Sequence, residues 1–400
     1  MRGRHTYHKL DGSALCRDDV IPALSEVTKL ILDCDGVIVS DRDSYREAIM
    51  RSVDYYFVRL LGLTGKKERL VTQEDIQRMK DTGAFNNDWK LTYALISYYL
   101  GLVLRHLGED KLGDVPEGLK EFQDTQDLES FLTDLRKFGE RADQLGIDIA
   151  YLRSMKANPR VGLNQLLEIF HRHIDIQILQ GVGHILRLGN QMLETVKTLC
   201  PFNVDSEDLL RRLFDELYLG KALYTKFTGK KSLFDFAEGL IDKEEMIISL
   251  KTLERLKSRF GLLAIYSERP KNEGLYVLQK CNILHYFDRQ TIFFNEDLMR
   301  TPDVSDSGTT LGKPDARAFV AFLRTFCKRN GVIAYVGDTV SDALMIRNAR
   351  IVESMRLIFI GTSSSSPNGK GLQNKFMELG AEVIVRDANL IPAVFDKIGK

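Results

Sequence analysis

Two carboxylates, Asp33 and Asp35, stand one residue apart, directly after the apolar run Leu-Ile-Leu and directly before Gly36. Two acids at one point can divide the steps of a group transfer, because one can attack as a nucleophile while the other moves a proton. The chain must leave strand geometry after Asp33, and Gly36 suits that turn because glycine tolerates backbone angles that other residues avoid. The spacing therefore predicts a chemical site at the end of a buried strand.

Further polar side chains flank other apolar runs. Ser267 and Arg269 follow Leu-Leu-Ala-Ile-Tyr, Lys313 precedes a helix-like segment, and Asp338 and Asp342 follow Val-Ile-Ala-Tyr-Val. If these runs are neighbouring parallel strands, their carboxyl ends bring the side chains to one edge of a sheet. Carboxylates held together need a cation, and an all-oxygen ligand set suits Mg²⁺, which also binds phosphate oxygens.

The elements that would position these residues alternate along the chain. Short apolar runs, typical of strands buried on both faces, are separated by helix-like segments. The runs lie at 29–32, 262–266, 291–294, 332–336, 357–360 and 383–385, and the helical segments at 271–283, 315–329 and 342–350. This alternation predicts an α/β fold with a doubly wound, parallel, Rossmann-like sheet.

The long middle part of the chain differs, because its apolar residues keep helical spacing and strand signals are almost missing. We therefore expect an α/β core domain formed by 1–44 and 255–400, split by an all-helical insertion at 45–254 with extra helices near 105–205. An insertion that follows the first strand leaves from the carboxyl edge of the sheet, so we expect it to act as a lid.

Charge and composition narrow the class of partner. Lys and Arg together number 56, as do Asp and Glu, so the formal net charge is zero and no basic stripe predicts nucleic-acid binding. We find no apolar stretch of the roughly 20 residues that a membrane span needs. The five cysteines show no metal or disulfide spacing, and we interpret them as free thiols in a reducing compartment. These features predict a cytoplasmic protein.

Four short motifs in this order resemble the haloacid dehalogenase superfamily, whose members are mostly phosphatases. The resemblance rests on the motif at 33–37, on Ser267, on Lys313 and on the motif at 337–342. It covers the predicted sheet domain, and the position of the helical insertion resembles the first cap class of subfamily IA. Dehalogenases of the superfamily lack the second acid, so Asp35 favours hydrolysis of phosphate esters.

The resemblance implies a role for each matched residue. Asp33 would attack phosphorus and form an aspartyl phosphate, and Asp35 would protonate the leaving alcohol and then activate water. Mg²⁺ would be held by Asp33, the backbone carbonyl of Asp35, Asp338 and, directly or through water, Asp342. The residues that would hold the phosphoryl group are Ser267, Lys313, Gly36 and Arg269, although Arg269 could instead reach the cap or be a surface residue.

The run Phe85-Asn86-Asn87-Asp88-Trp89 allows two interpretations. It resembles a signature of one poorly characterised subfamily, which places Asn86, Asn87 and Trp89 on the cap against the substrate. Alternatively, Asp88 is a helix N-cap and Trp89 belongs to the core. In that subfamily Gly-Arg-Pro usually follows the second motif, and here Glu268 replaces the glycine.

We therefore expect a Mg²⁺-dependent phosphomonoesterase that acts on a small phosphorylated metabolite. Sugar phosphates, phosphoglycolate-like acids and histidinol phosphate are all compatible with the motifs. The alternatives are a phosphotransferase or phosphomutase on the same scaffold, and a non-catalytic phosphate-binding or interaction protein. The enlarged cap could also form a homo-oligomer interface.

Overall fold

The computed structural model describes residues 6–10, 14–65, 69–85, 87–109, 125–173, 176–201, 208–298, 312–326, 331–352 and 356–398. The chain divides into two compact units. The sheet unit comprises Met1–Asp43 and Lys243–Lys400, and the helical unit comprises Ser44–Asp242. The expected boundary at 254/255 would cut a helix at Leu250–Phe260, which lies wholly in the sheet unit because its buried leucines pack on strands of that unit.

The described residues of the sheet unit form one sheet in the order β1-β2-β8-β7-β6-β3-β4-β5. The strands are β1 (Tyr7–Leu10), β2 (Ala14–Arg17), β3 (Val27–Leu32), β4 (Leu263–Tyr266), β5 (Phe287–Phe293), β6 (Val332–Gly337), β7 (Arg356–Thr362) and β8 (Val383–Val385). Strands β3 to β8 pair in parallel. The predicted α/β fold with a parallel-dominated sheet is confirmed.

Strand β3 lies in the interior of the sheet, between β4 and β6. Leu32 is in register with Ile265 on one side and with Val336 on the other. Leu30, Ile31 and Leu32 are fully buried, as expected for a parallel strand covered on both faces. This register brings the residues that follow β3, β4 and β6 to the same edge.

The N-terminal hairpin was not predicted. Strands β1 and β2 are antiparallel, and β2 continues the sheet through an antiparallel pairing with β8. Each has only four residues, and β1 is partly exposed along its length, so neither forms a continuous apolar run in the sequence. The hairpin adds an edge to the sheet and lies away from β3.

The helices of the described residues fall into both units. They are α1 (Ile21–Ser25), α2 (Tyr45–Tyr55), α3 (Gln73–Lys80), α4 (Asp88–Leu107), α5 (Thr125–Gln144), α6 (Ile149–Lys156), α7 (Leu163–Arg172), α8 (Ile178–Leu186), α9 (Asn190–Leu199), α10 (Leu209–Thr228), α11 (Leu250–Phe260), α12 (Lys271–Lys280), α13 (Asn295–Leu298), α14 (Arg317–Phe326), α15 (Val340–Val352), α16 (Gly369–Leu379) and α17 (Ile391–Ile398). None of these helices is both long enough and apolar enough to cross a membrane.

The helical unit is organised around α4, whose central residues are buried on every side. The Tyr98 and Tyr99 hydroxyls donate to backbone carbonyls of Val161 and Leu70 at 2.9 Å, which satisfies these buried polar groups. The region from 163 to 196, continuous in helical periodicity, divides into α7, α8 and α9. Helix α8 ends at Leu186, and the next residue, Arg187, adopts a left-handed conformation with φ of 55°.

Candidate active site

Three adjacent strands deliver the first groups of the site to the carboxyl edge of the sheet. Asp33 follows β3, Ser267 follows β4 and Asp338 follows β6, and these strands are neighbours in the order β6-β3-β4. The Asp33 amide donates to the Val336 carbonyl at 2.9 Å, so the pairing of β3 with β6 extends to the first acid. All three residues are buried. The sheet edge therefore assembles the motifs that the sequence separates.

A tight turn follows Asp33 and separates the two acids. The Cys34 amide donates to the Asp33 carboxylate at 2.7 Å, and the Cys34 carbonyl accepts from the amides of Ile38 and Val39. Gly36 has φ of 69°, which confirms that the turn uses a conformation that favours glycine. A Cβ atom on Gly36 would lie 1.9 Å from the Asp338 carboxylate, so the backbone here lies directly against the next acid.

Replacing this glycine should therefore disturb both the turn and Asp338. We expect Gly36→Ala to lower the free energy of unfolding by about 2 kcal/mol or more, because alanine adds backbone strain and a side-chain clash. Urea unfolding measures this change. Gly261→Ala is the matched control: Gly261 has a similar φ of 71°, but a Cβ there would meet no atom within 4 Å. Equal losses in the two variants would contradict a close approach to Asp338.

Lys313 supplies the positive charge of the site. Its ammonium group lies 2.6 Å from the Asp33 carboxylate and 2.9 Å from that of Asp342. Burial lowers the pKa of Lys313, but Asp33 and Asp342, together with Tyr335 and Glu268, raise it, and the pKa lies well above its ordinary value. The Glu268 carboxylate accepts a hydrogen bond from the Lys313 amide and fixes the backbone. The lysine is therefore held, charged, beside the first acid.

Asp342 is fixed by protein groups on both of its oxygens. One oxygen accepts from the Tyr335 hydroxyl at 3.0 Å as well as facing Lys313. The other accepts from the amide and hydroxyl of Thr339 at 3.0 and 2.6 Å. Asp342 therefore orients Lys313 and the turn after β6. Tyr335 was missed in the sequence because it lies inside an apolar run, where an aromatic residue indicates only packing.

Three of the acids form a group that can hold a cation. One oxygen from each of Asp33, Asp338 and Asp342 lies within 4.8 Å of the other two. Burial raises the pKa of Asp33 well above its usual range, Lys313 lowers it, and the Asp342 and Asp338 carboxylates raise it. A divalent cation among these oxygens would favour their charged forms, and hard oxygen donors fit Mg²⁺. The residues present therefore fit the predicted metal.

The second acid is held by an arginine. The Arg269 Nη2 and Nε atoms donate to the two oxygens of Asp35, the Nε bond being 3.3 Å long. Arg269 also binds Glu244, through Nη1 at 2.7 Å and Nη2 at 3.0 Å. Burial raises the pKa of Asp35 to about 6, although the Arg269 guanidinium opposes this rise. The surface interpretation of Arg269 is wrong, because its side chain is fully buried between two carboxylates.

Glu244 was missed by sequence reasoning, because it lies in a polar stretch of the chain that resembles a solvated surface. Its side chain is fully buried against Arg269.

Ser267, in contrast, lies where expected and is 2% exposed. Its hydroxyl accepts from the Arg269 amide at 3.4 Å, so the serine also shapes the turn that carries the arginine.

The residues predicted on the helical insertion belong to a separate set of contacts within the helical unit. The Asn87 side chain accepts from the Lys90 amide and is the N-cap of α4, so the assignment of Asp88 as N-cap is wrong by one residue. The half-buried Trp89 donates its indole N–H to Asp215 at 2.9 Å, and the Arg211 guanidinium lies 4.1 Å from its ring centre. Asn86 lies outside the described residues.

Comparisons with known proteins match one family model to a continuous part of the chain that includes the end of the helical unit and much of the sheet unit. Residues 203–350 match the family model of haloacid dehalogenase-like hydrolases. This range contains Ser267, Lys313, Asp338 and Asp342, whereas Asp33 and Asp35 precede it. An imidazoleglycerol-phosphate dehydratase from Phytophthora nicotianae is 39% identical over 72 residues, which are 18% of this chain and only 14% of that protein's length.

Solved structures support the fold. The X-ray structure of a Northeast Structural Genomics Consortium target is similar with a TM-score of 0.62 and 18% identity, over 93% of this chain and 99% of that one. A phosphatase from Thermococcus thioreducens is 20% identical over 87% of this chain and 98% of that one, with a TM-score of 0.44. Residues 203–350 are therefore similar to haloacid dehalogenase-like hydrolases, and the likeness to the first solved structure supports the fold.

Proposed function

We propose that this protein is a Mg²⁺-dependent phosphomonoesterase that acts on a small phosphorylated metabolite through a phosphoaspartyl intermediate. The observation that carries the proposal is the buried group of Asp33, Lys313, Asp338 and Asp342, with the second acid Asp35 two residues from the first. A site that only binds phosphate needs positive charge and hydrogen-bond donors. Such a site does not need the acids Asp33 and Asp342 beside Lys313.

In the first half of the reaction, an Asp33 oxygen attacks phosphorus and forms the aspartyl phosphate. The bond from phosphorus to the ester oxygen breaks, and Asp35 gives its proton to the departing alkoxide. Lys313 faces Asp33 and stabilises the charge on the phosphoryl oxygens, together with the Ser267 hydroxyl.

In the second half, Asp35 takes a proton from a water molecule as that water attacks phosphorus. The bond between Asp33 and phosphorus breaks, inorganic phosphate leaves, and both acids return to their starting forms. Water is the one further reactant. The two acids thus have separate tasks, which explains why the turn at Gly36 separates them.

The proposed metal ligands are Asp33, Asp338 and the backbone carbonyl of Asp35, with Asp342 acting directly or through water. When bound, Mg²⁺ neutralises the charge of the phosphate and of the clustered carboxylates. Asp342 is already bonded by Lys313, Tyr335 and Thr339, which favours the role through water.

Chelation tests the proposed metal. We expect EDTA to abolish hydrolysis of p-nitrophenyl phosphate and added Mg²⁺ to restore it, because the clustered carboxylates need a cation to bind an anionic ester. The released p-nitrophenolate reports the rate. Ca²⁺ is a useful control, since it favours a larger and more flexible oxygen shell. Activity that ignores both EDTA and added metal would contradict the proposed cofactor.

We further propose that Asn86, Asn87 and Trp89 contact the substrate, that the enlarged insertion forms a homo-oligomer interface, and that the protein is cytoplasmic. A screen of phosphorylated metabolites, with inorganic phosphate release as the readout, tests the proposed function. We expect a few small phosphate esters, among them sugar phosphates or phosphorylated acids, to be hydrolysed much faster than the rest. No phosphate release from any ester in the presence of Mg²⁺ would contradict the function.

A further inference from the structure

We propose that Arg269 is a positioning residue for Asp35: anchored on Glu244, its guanidinium holds the Asp35 carboxylate in the orientation that proton transfer to the leaving group requires. This inference rests on the proposed phosphomonoesterase function, in which Asp35 is the proton donor. It assigns a task to a cluster of three charged residues, Asp35, Arg269 and Glu244. We call this group the Arg269 clamp.

The donors of Arg269 are directed at the two carboxylates. Two nitrogens bond Glu244, and two bond Asp35, with Nη2 shared between them. The planar guanidinium can grip each carboxylate with two parallel bonds, which fixes orientation as well as distance. The donors of Arg269 already bond these two carboxylates. Arg269 is therefore not arranged like an arginine whose donors are available to bind a substrate phosphate.

The two carboxylates differ in exposure, and this difference separates their tasks. The Glu244 side chain is fully buried, as is that of Arg269, whereas the Asp35 side chain is 28% exposed. Glu244 with Arg269 would already form a neutral buried pair, so charge balance alone does not require Asp35. The exposed carboxylate is the one that can reach a substrate, and the buried pair is the support behind it.

The backbone fixes both ends of the clamp. The segment that carries Glu244 pairs with the turn after Asp35: the Ser40 amide donates to the Glu245 carbonyl, and the Ile247 amide donates to the Ile38 carbonyl, both at 2.9 Å. Arg269 lies between Ser267 and the start of α12. The clamp therefore joins three chain segments: the turn after Asp35, the segment that carries Glu244, and the segment between Ser267 and α12.

Esters with different leaving groups separate positioning of the acid from other roles. A phosphate ester of an alkyl alcohol needs a proton donor for its poor leaving group, whereas dinitrophenyl phosphate does not. If Arg269 positions Asp35, Arg269→Met should lower kcat/KM about 100-fold for the alkyl ester and less than about threefold for the dinitrophenyl ester. Arg269→Lys should lie between Arg269→Met and the wild type, because lysine keeps the charge but lacks the planar fork.

Two further measurements sharpen the test. When Asp35→Asn is already present, adding Arg269→Met should slow alkyl ester hydrolysis by a further factor of less than about two. The effects of residues that act as a unit are not additive. The inhibition constant of inorganic phosphate should stay unchanged in Arg269→Met. If Arg269→Met does not fold, Glu244→Gln should show the same selective loss to a smaller degree.

Arg350→Met is the matched control, since Arg350 pairs with Glu382 at 2.6 Å in the same unit and away from the clamp. It should leave both rates within about twofold of the wild type. Three results would overturn the positioning role while leaving the proposed function intact. They are equal losses for both esters in Arg269→Met, weaker inhibition of that variant by inorganic phosphate, and full additivity of its effect with that of Asp35→Asn. A wild-type protein that hydrolyses neither ester would overturn the proposed function, and this inference with it.

Discussion

Asp33→Asn should lower kcat/KM for p-nitrophenyl phosphate by at least about 10³-fold, because the amide cannot attack phosphorus. Asp33 is buried at the end of β3, and its two oxygens accept from the Cys34 amide at 2.7 Å and from Lys313 at 2.6 Å. Asparagine has the same shape and keeps an oxygen for one of these bonds. The variant should therefore remain folded while its activity is lost.

Asp288→Asn provides the matched control for this loss. Asp288 is an exposed residue of β5 in the same unit, and its carboxylate accepts only a local bond from the Gln290 amide among the contacts described. Steady-state kinetics should give wild-type rates for this variant, and near-ultraviolet circular dichroism should show that both variants are folded. Full Mg²⁺-dependent activity in Asp33→Asn would contradict the assigned nucleophile.

Lys313→Met should have the second large effect, and it should change stability as well as rate. The lysine is 3% exposed and lies between Asp33 and Asp342. Removing one partner of a buried ion pair leaves uncompensated carboxylates, which costs about 3–5 kcal/mol of unfolding free energy. The rate should fall by about 100-fold or more, because a fixed charge that faces the transferring phosphoryl group is lost.

Lys271→Met is the control for the loss of a paired lysine. Lys271 lies 2.7 Å from Asp297, but its side chain is 41% exposed. Exposed pairs contribute about 1 kcal/mol or less, so this variant should unfold almost like the wild type. Urea unfolding without metal compares the two. If Lys313→Met were as stable as Lys271→Met, the buried carboxylates would not depend on the lysine.

The parts of the site that lie at strand ends could be predicted from the sequence. An apolar run followed by an acid or a hydroxyl marks Asp33, Ser267 and Asp338 because strand burial is visible in residue types and parallel strands share an edge. The need for glycine at position 36 was visible for a similar reason, since a turn had to follow the strand. Such inferences use only a few consecutive residues.

The supporting residues could not be predicted in this way. Glu244 and Arg269 bond each other across a long separation in sequence, and a buried ion pair leaves no local pattern that distinguishes it from surface charges. Arg187 follows α8 in a left-handed conformation that residues other than glycine rarely adopt, so the end of this helix is not visible in the spacing of the apolar residues. The pairing of Glu244 with Arg269 depends on tertiary contacts that the local sequence does not show.

The phosphoaspartyl intermediate is the central claim, and trapping it tests that claim most directly. Asp35→Asn should still accept the phosphoryl group from dinitrophenyl phosphate, which needs no proton donor, but should hydrolyse the phosphoenzyme slowly. Rapid mixing should then give a burst of about one dinitrophenolate per protein, as expected when a covalent intermediate accumulates. Borohydride reduction followed by peptide mass spectrometry should find homoserine in place of Asp33. Steady turnover without a burst and with Asp33 unmodified, or phosphate on another residue, would contradict the mechanism.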